Sequence, residues 1–137
     1  MPNICRNNFK FVANKETIDK IEKSNFSFSY FFPLPENAST NWYIDNTYTD
    51  KDAFEINLNR EDDDIIYITC STAWTVPINF LKNLIKLFPD LYIFNQYCIE
   101  FTDCGIVILY FNDNMIKEKQ FTWIDPICKE YIKGVYD

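Results

Sequence analysis

The apolar residues of this chain recur at two different spacings, and the order of these spacings constrains the fold more than any single motif. Phe54, Ile56 and Leu58 alternate with polar residues, which predicts a half-buried strand. Over residues 77–88 the apolar residues recur every three or four positions, which predicts an amphipathic helix. The 137 residues suffice for one domain, 1–137, with a single core.

The first half of the chain begins with a strand and a helix. The N-terminal segment alternates loosely, and Asn14 is the predicted cap of a helix over Lys15–Ser24. The aromatic run 26–32 also alternates until Pro33 and Pro35 end it. It therefore predicts a second strand that lies toward an edge of the sheet.

The rest of the chain predicts five further strands and two helices. A hairpin turns at the acidic segment 60–64, Thr75 is the predicted cap of the next helix, and three antiparallel strands follow over 91–123. A short C-terminal helix is predicted over 125–134. This order is the split β-α-β arrangement of a ferredoxin-like antiparallel sheet with extra strands. We therefore predict an α+β fold with its helices packed mainly on one face.

The net charge of −7 and the pI near 4.5 argue against general binding to nucleic-acid backbones, because that binding depends on clustered Lys and Arg. No apolar run is long enough to span a membrane, and the N-terminus carries no secretory signal. We expect an intracellular protein without a membrane partner. An acidic surface suits solubility, and it would also suit docking on a basic protein.

The chain has five widely spaced cysteines and no histidine. Without a CxxC pair or a His ligand, a zinc site is improbable, and no His base is present to activate a nucleophile. We therefore expect no cofactor and no metal, and reduced thiols that behave as small apolar groups. The cysteines are Cys5, Cys70, Cys98, Cys104 and Cys128.

Several short motifs, taken in order, carry a resemblance to a known family. They are Pro33 and Pro35, Trp42-Tyr43, Thr72-Ala73-Trp74, Pro77, Phe88-Pro89 and Gly105. In this order and spacing the chain resembles the YubB ferredoxin-like family over about residues 3–111. The resemblance implies a ferredoxin-like fold without an iron-sulfur cluster, in a protein carried by a phage, plasmid or other mobile element. It implies no particular reaction.

The chain departs from the family pattern at two places. Where the family has a WGTKW motif, this chain has YTDKDAF, which retains Lys51 but lacks the tryptophans and the glycine. The Thr-Ala-Trp motif continues with Thr75-Val76-Pro77 instead of Ser-Pro-Pro. The resemblance is therefore to a divergent member.

The first functional hypothesis is a non-catalytic binding module that binds and inhibits a host protein, for example a defence component. The polar segment 36–52 carries Trp42, Tyr43, Tyr48 and Lys51, and aromatic residues dominate interface energetics. An ordered insertion loop beside Trp74 would form an anchor patch. The alternative is that these rings complete the core beneath the loop.

Two other functions compete with this hypothesis. In the first, the loop and the sheet hold a nucleotide-type signal, with a base stacked on a ring and Lys51 with Arg60 or Lys10 at a phosphate. In the second, a metal-dependent hydrolase uses Asp50, Asp52 and the acids 61–64. A solvated hairpin tip also accounts for the acids 61–64, and a cysteine enzyme would lack a His base.

Trp74 lies between the strand that ends in Ile68-Thr69-Cys70-Ser71 and the following helix. We expect its ring to fill the space where sheet, helix and aromatic loop converge. On that expectation Trp74→Ala would leave a large cavity and cost several kcal/mol. An exposed ring would instead indicate a functional role.

Overall fold

The computed structural model of the chain describes residues 4–33, 36, 52–100 and 104–122. Within them it is an α+β protein with one six-stranded antiparallel sheet and three helices. The elements are β1 (Ile4–Val12), α1 (Lys15–Ser24), α2 (Phe28–Phe31), β2 (Phe54–Asp62), β3 (Ile65–Ala73), α3 (Ile78–Leu87), β4 (Tyr92–Ile99), β5 (Cys104–Asn112) and β6 (Met115–Thr122).

The strand order across the sheet is β2-β3-β1-β4-β5-β6. The first strand is therefore internal, with β3 on one side and β4 on the other. β2 and β3 form one hairpin, and β4, β5 and β6 form two more in succession. The predicted hairpin around the acidic segment and the three predicted C-terminal strands are confirmed.

The first helix begins and ends where the sequence indicates. The side-chain oxygen of Asn14 accepts a hydrogen bond from the backbone N–H of Thr17 at 2.9 Å, which is the predicted N-cap. Asn25 ends the helix in the left-handed region, with φ of 53°. The Asp90 carboxylate accepts from the backbone N–H of Asn14 at 2.8 Å, and thereby ties this cap to the segment before β4.

The predicted second strand over 26–32 is wrong. Residues Phe28–Phe31 form the short helix α2, and Asp52 accepts a hydrogen bond from the backbone N–H of Phe28 at 2.8 Å. The rings of Phe26 and Phe28 are fully buried, and Phe28 packs on Phe80 with 4.0 Å between ring centroids. Burial of this cluster against α3 outweighs the strand preference of an alternating aromatic run.

The second amphipathic helix begins later than predicted. Thr75 does not cap it, because α3 starts at Ile78 and Pro77 holds the N-cap position without a side-chain hydrogen bond. The backbone N–H of Thr75 instead donates to the carbonyl of Ala73 at 2.9 Å. Residues 74–77 are therefore a connecting turn, and the buried stripe of α3 comprises Phe80, Leu81, Leu84 and Ile85.

The sheet has two faces, and the core lies on the one that α1 and α3 cover. On β1 this helix face carries the fully buried Phe9 and Phe11, and on β4 it carries Ile93. Alternation along each strand places the intervening side chains on the other face, which we call the open face. On the open face a small second cluster forms around Ile106 and Ile108.

Two predicted segments fall outside the described residues. The insertion loop 36–52 is described only at its two ends, Glu36 and Asp52, and the C-terminal helix 125–134 is not described. Among the described residues no helix is long and apolar enough to cross a membrane.

Candidate functional site

Trp74 is not the buried residue that the sequence predicts. It follows the last residue of β3, has φ of 73°, and 49% of its surface is exposed. A positive φ is uncommon for a bulky side chain, because Cβ crowds the neighbouring carbonyl oxygen. The chain leaves the direction of β3 at this residue, and the ring lies half in solvent.

A cavity of about 390 Å³ is lined by residues that follow Trp74 in the chain. Thr75, Val76 and Ile78 form one wall, and Tyr97 and Gln120 belong to the opposite one. The lining is mixed polar and apolar, which resembles the rim of a protein interface more than an enclosed small-molecule pocket. Trp74 does not line this cavity itself, and it adjoins the cavity through its chain neighbour Thr75.

The other aromatic residues proposed for this surface lie outside the described part of the chain. Trp42, Tyr43, Tyr48 and Lys51 all belong to the undescribed stretch of the insertion loop. Their grouping with Trp74 therefore stays a prediction.

The open face carries a set of cations and rings that sequence analysis did not group. The strand register places Tyr67, Lys10, Phe94, Ile108 and Lys119 in one row across β3, β1, β4, β5 and β6. The Lys10 ammonium lies 6.0 Å from the centroid of the Tyr67 ring. This arrangement places positive charge beside π faces.

The neighbouring row on the same face repeats the pattern. Tyr92, Tyr110 and Lys117 follow one another across β4, β5 and β6, and the two tyrosine rings stack with 5.7 Å between centroids. The ammonium of Lys119 lies 6.0 Å from the Tyr110 ring. Arg6 adds a further exposed cation on β1, two rows away from Lys10.

No carboxylate accompanies these four cations on β1, β3, β4, β5 or β6, as far as their described residues show. By register and alternation, the open-face positions of these strands hold Arg6, Lys10, Lys117 and Lys119 but no Asp or Glu. The edge strand β2 adds the carboxylate of Glu55 to this face, where it accepts a hydrogen bond from the Ser71 hydroxyl at 3.2 Å and lines a cavity together with Arg6. Glu118 faces the opposite way and pairs with a lysine of α3 at 2.7 Å. Although the net charge of the chain is −7, the part of the open face formed by β1, β4, β5 and β6 is therefore locally positive.

The open face has two shallow cavities beside Lys10, which we call the furrows. One cavity of about 340 Å³ is lined by Lys10, Val12, Tyr92, Phe94 and Ile108. A second of about 220 Å³ lies on the other side of the same lysine and reaches the Tyr67 ring. Both furrows combine an apolar wall with a cation, a composition that suits a ring bearing negative charge.

Of the two described cations proposed for a phosphate, only Lys10 is placed for that role. The Arg60 guanidinium donates to Asp19 at 2.7 Å and to the backbone carbonyls of Asp62 and Asp63. Its hydrogen bond to Asp19 holds the pKa of the guanidinium above its usual value, and Lys15 and Arg60 together lower the pKa of the Asp19 carboxyl. Arg60 therefore links α1 to the β2–β3 hairpin and is not free to bind a phosphate.

Of the acidic residues proposed for metal catalysis, Asp52 has a structural role. Asp52 caps α2 through Phe28 and also accepts from the hydroxyl of Ser27 at 2.9 Å. The acids 61–64 occupy the tip of the β2–β3 hairpin, and Asp50 lies outside the described residues. The described residues contain no group of three metal-ligating side chains.

The cysteines differ from the predicted set of reduced thiols. Cys98 and Cys104 face each other across β4 and β5 on the open face and form a disulfide. Cys5 and Cys70 are free and buried, and burial raises the pKa of the Cys5 thiol to about 12. Such a thiol stays protonated near neutral pH and is a poor nucleophile. Cys128 lies outside the described residues.

A buried polar network crosses the helix face below the Trp74 turn. The Asn7 amide donates to the Thr72 hydroxyl at 2.9 Å and accepts from the Asn95 amide at 3.1 Å. The Thr72 hydroxyl donates to the carbonyl of Thr75 at 2.7 Å, so the network holds the turn that presents Trp74. The side-chain oxygen of Asn95 has no hydrogen-bond partner among the described residues.

The chain matches no known family model, no curated protein and no solved structure. The described residues define two candidate surfaces. One is the exposed Trp74 with its adjoining cavity, and the other is the cationic and aromatic open face.

The sequence contained a signal for the second surface. Lys117 and Lys119 are two residues apart in a predicted strand and must share one face. Their approach to Tyr110 and to the β1 cations depends on strand order and register, which periodicity alone does not give.

Proposed function

We propose that this chain is a non-catalytic binding module of a phage or other mobile element, which binds and inhibits a host protein in the host cytoplasm. The observation that carries the proposal is Trp74. Its ring is half exposed and its backbone is strained, and such strain is concentrated at functional sites. Tryptophan is also among the residues most enriched at interface hot spots.

The adjoining cavity supports a protein partner over a buried small molecule. It is lined by both polar and apolar groups, and Lys82 at its wall is paired with Glu118. The acidic total charge favours a partner with a basic surface. The loop residues Trp42, Tyr43, Tyr48 and Lys51 enter the proposal as further contacts on the same surface.

We propose in addition that the first four strands with α1 and α3 form a ferredoxin-like unit, as expected for a divergent relative of the YubB family. The order β2-β3-β1-β4 supports this. In a split β-α-β unit another strand lies between the two strands that a helix connects, and here β3 lies between β1 and β2 while β1 lies between β3 and β4. β5 and β6 would then extend the sheet beyond the unit at the β4 edge.

The test is affinity capture from host lysate with tagged wild-type protein, Trp74→Gly and Lys86→Gln. Glycine is chosen at 74 because it removes the ring and accepts the positive φ. Lys86 is exposed on α3 and provides a surface control away from the turn. We expect one stoichiometric partner with the wild type and Lys86→Gln, and its loss with Trp74→Gly.

Circular dichroism of each variant separates loss of binding from loss of folding. Capture of the same partner by folded Trp74→Gly would refute the role of Trp74. Recovery of the wild-type protein alone from every candidate host would refute the host-protein proposal itself.

A further inference from the structure

The open face of the sheet is chemically unlike the rest of this acidic molecule. Across β1, β3, β4, β5 and β6 its described residues include four cations and no carboxylate, and the edge strand β2 adds the carboxylate of Glu55 near Arg6. On the other side of the sheet, Arg60 is paired with Asp19 and Lys82 with Glu118. A face that collects positive charge in a protein of charge −7 is complementary to an anionic occupant.

The aromatic rings on this face narrow the class of anion. Lys10 lies over Tyr67, and Lys119 lies over Tyr110, each at 6.0 Å from the ring centroid. An inorganic anion or an acidic peptide would use the charges but not the rings. A nucleobase stacks on such rings, and its phosphate meets a neighbouring ammonium.

The distance across the face favours an oligonucleotide strand over a single nucleotide as the occupant. Lys10 on β1 and Lys119 on β6 share one row, with β4 and β5 between them. Three interstrand steps of about 4.8 Å separate the two lysine backbones by about 14 Å. An occupant that engages both lysines therefore needs more than one phosphate, with a base lying between them.

We propose that the open face binds a short single-stranded nucleic acid. Arg6, Lys10, Lys117 and Lys119 contact phosphates, and bases stack beside Tyr67 and Tyr110. The furrows on either side of Lys10 seat the bases. The face is distinct from the Trp74 surface, so this proposal does not depend on the host-protein proposal. It also replaces the expectation, drawn from net charge alone, that nucleic acid is an unsuitable partner.

The first measurement is fluorescence anisotropy with labelled oligothymidylate and oligouridylate of about eight nucleotides at low salt. If four phosphates are neutralised, log K falls with log[salt] with a slope of about −3. A peptide nucleic acid of the same bases lacks the phosphates, and polyglutamate lacks the bases, so we expect neither to bind. Equal binding of polyglutamate, or displacement of the strand by mononucleotide alone, would overturn the proposal.

Variants then locate the site. We expect Lys10→Gln with Lys119→Gln to reduce the salt slope by about 1.4, which is two phosphate contacts. The matched control is Lys23→Gln with Lys86→Gln, which changes the net charge equally at exposed helix positions and should leave the slope unchanged. Equal effects of the two double variants would show that only overall charge matters.

Tyr110→Leu tests stacking separately from charge. It removes the ring but keeps an apolar side chain over Ile108, so we expect the sheet to stay folded. Oligothymidylate affinity should fall by about tenfold or more with the salt slope retained. A folded Tyr110→Leu protein with wild-type affinity would refute base stacking on this face.

Discussion

The positive φ of Trp74 leads to an unusual prediction about two substitutions that remove its ring. In an ordinary extended position, glycine destabilises a protein by about 0.5–1 kcal/mol relative to alanine, because its unfolded chain is more flexible. At Trp74, φ is 73°, where the Cβ of alanine costs about 1–2 kcal/mol and glycine has no such cost. We therefore expect Trp74→Gly to be more stable than Trp74→Ala by about 1 kcal/mol.

Both variants also lose the buried half of the ring. With 49% of the residue exposed, roughly 125 Å² of a large aromatic surface is buried, which is worth about 3 kcal/mol. This loss is common to the two variants and cancels in their difference. The comparison therefore isolates the backbone strain from the packing of the ring.

The assay is urea unfolding of both variants followed by far-ultraviolet circular dichroism. Thr69 provides the control, because it is exposed in the middle of β3 and pairs in regular register with Asn8 of β1. There we expect the usual order, with Thr69→Gly less stable than Thr69→Ala. If Trp74→Gly were also less stable than Trp74→Ala by 0.5 kcal/mol or more, the strained turn would be refuted.

Four further predictions concern stability and reactivity. Gly105→Ala would place a methyl group 2.7 Å from a tyrosine hydroxyl and against a β6 carbonyl, so a loss of about 1–3 kcal/mol is expected in urea unfolding. Replacing Cys98 and Cys104 by serine should lower the free energy of unfolding by about 2 kcal/mol. A reductant should destabilise the wild type but not this double variant. The pKa of Asp19 in the folded protein lies below its unfolded value of 3.8, so this carboxylate stabilises the fold fully above pH 3.8 and progressively less as the pH falls. The free energy of unfolding of Asp19→Asn should therefore depend less steeply on pH in the acid range than that of the wild type. With the pKa of its thiol at about 12, Cys5 should resist alkylation at pH 8 until urea unfolds the chain, and rapid labelling of the folded protein would contradict its burial.

Local signals predicted most of the elements. Asn14 caps α1 as expected, because a cap depends on a side chain and a backbone N–H only three residues away. The β2–β3 hairpin was predictable for the same reason, since alternation on both sides of an acidic turn is a local pattern.

The aromatic run before Pro33 shows where local signals fail. Its alternation favours a strand, but Phe28 packs at 4.0 Å on Phe80, more than fifty positions away in the sequence. The energy of that contact does not appear in any short window. The same limit applies to Trp74, whose exposure depends on how the turn after β3 leaves the sheet.

By itself, therefore, the sequence determined the class of fold, the caps, the hairpins and the acidic total charge, because these follow from near neighbours and from composition. Only the tertiary structure decided which side chains share a face. Lys10 and Lys119 are distant in sequence, yet strand order and register bring them into one row beside aromatic rings. Net charge is a sum over the whole chain and carries no information about where the charges lie, whereas a binding face depends on which charges the sheet places together.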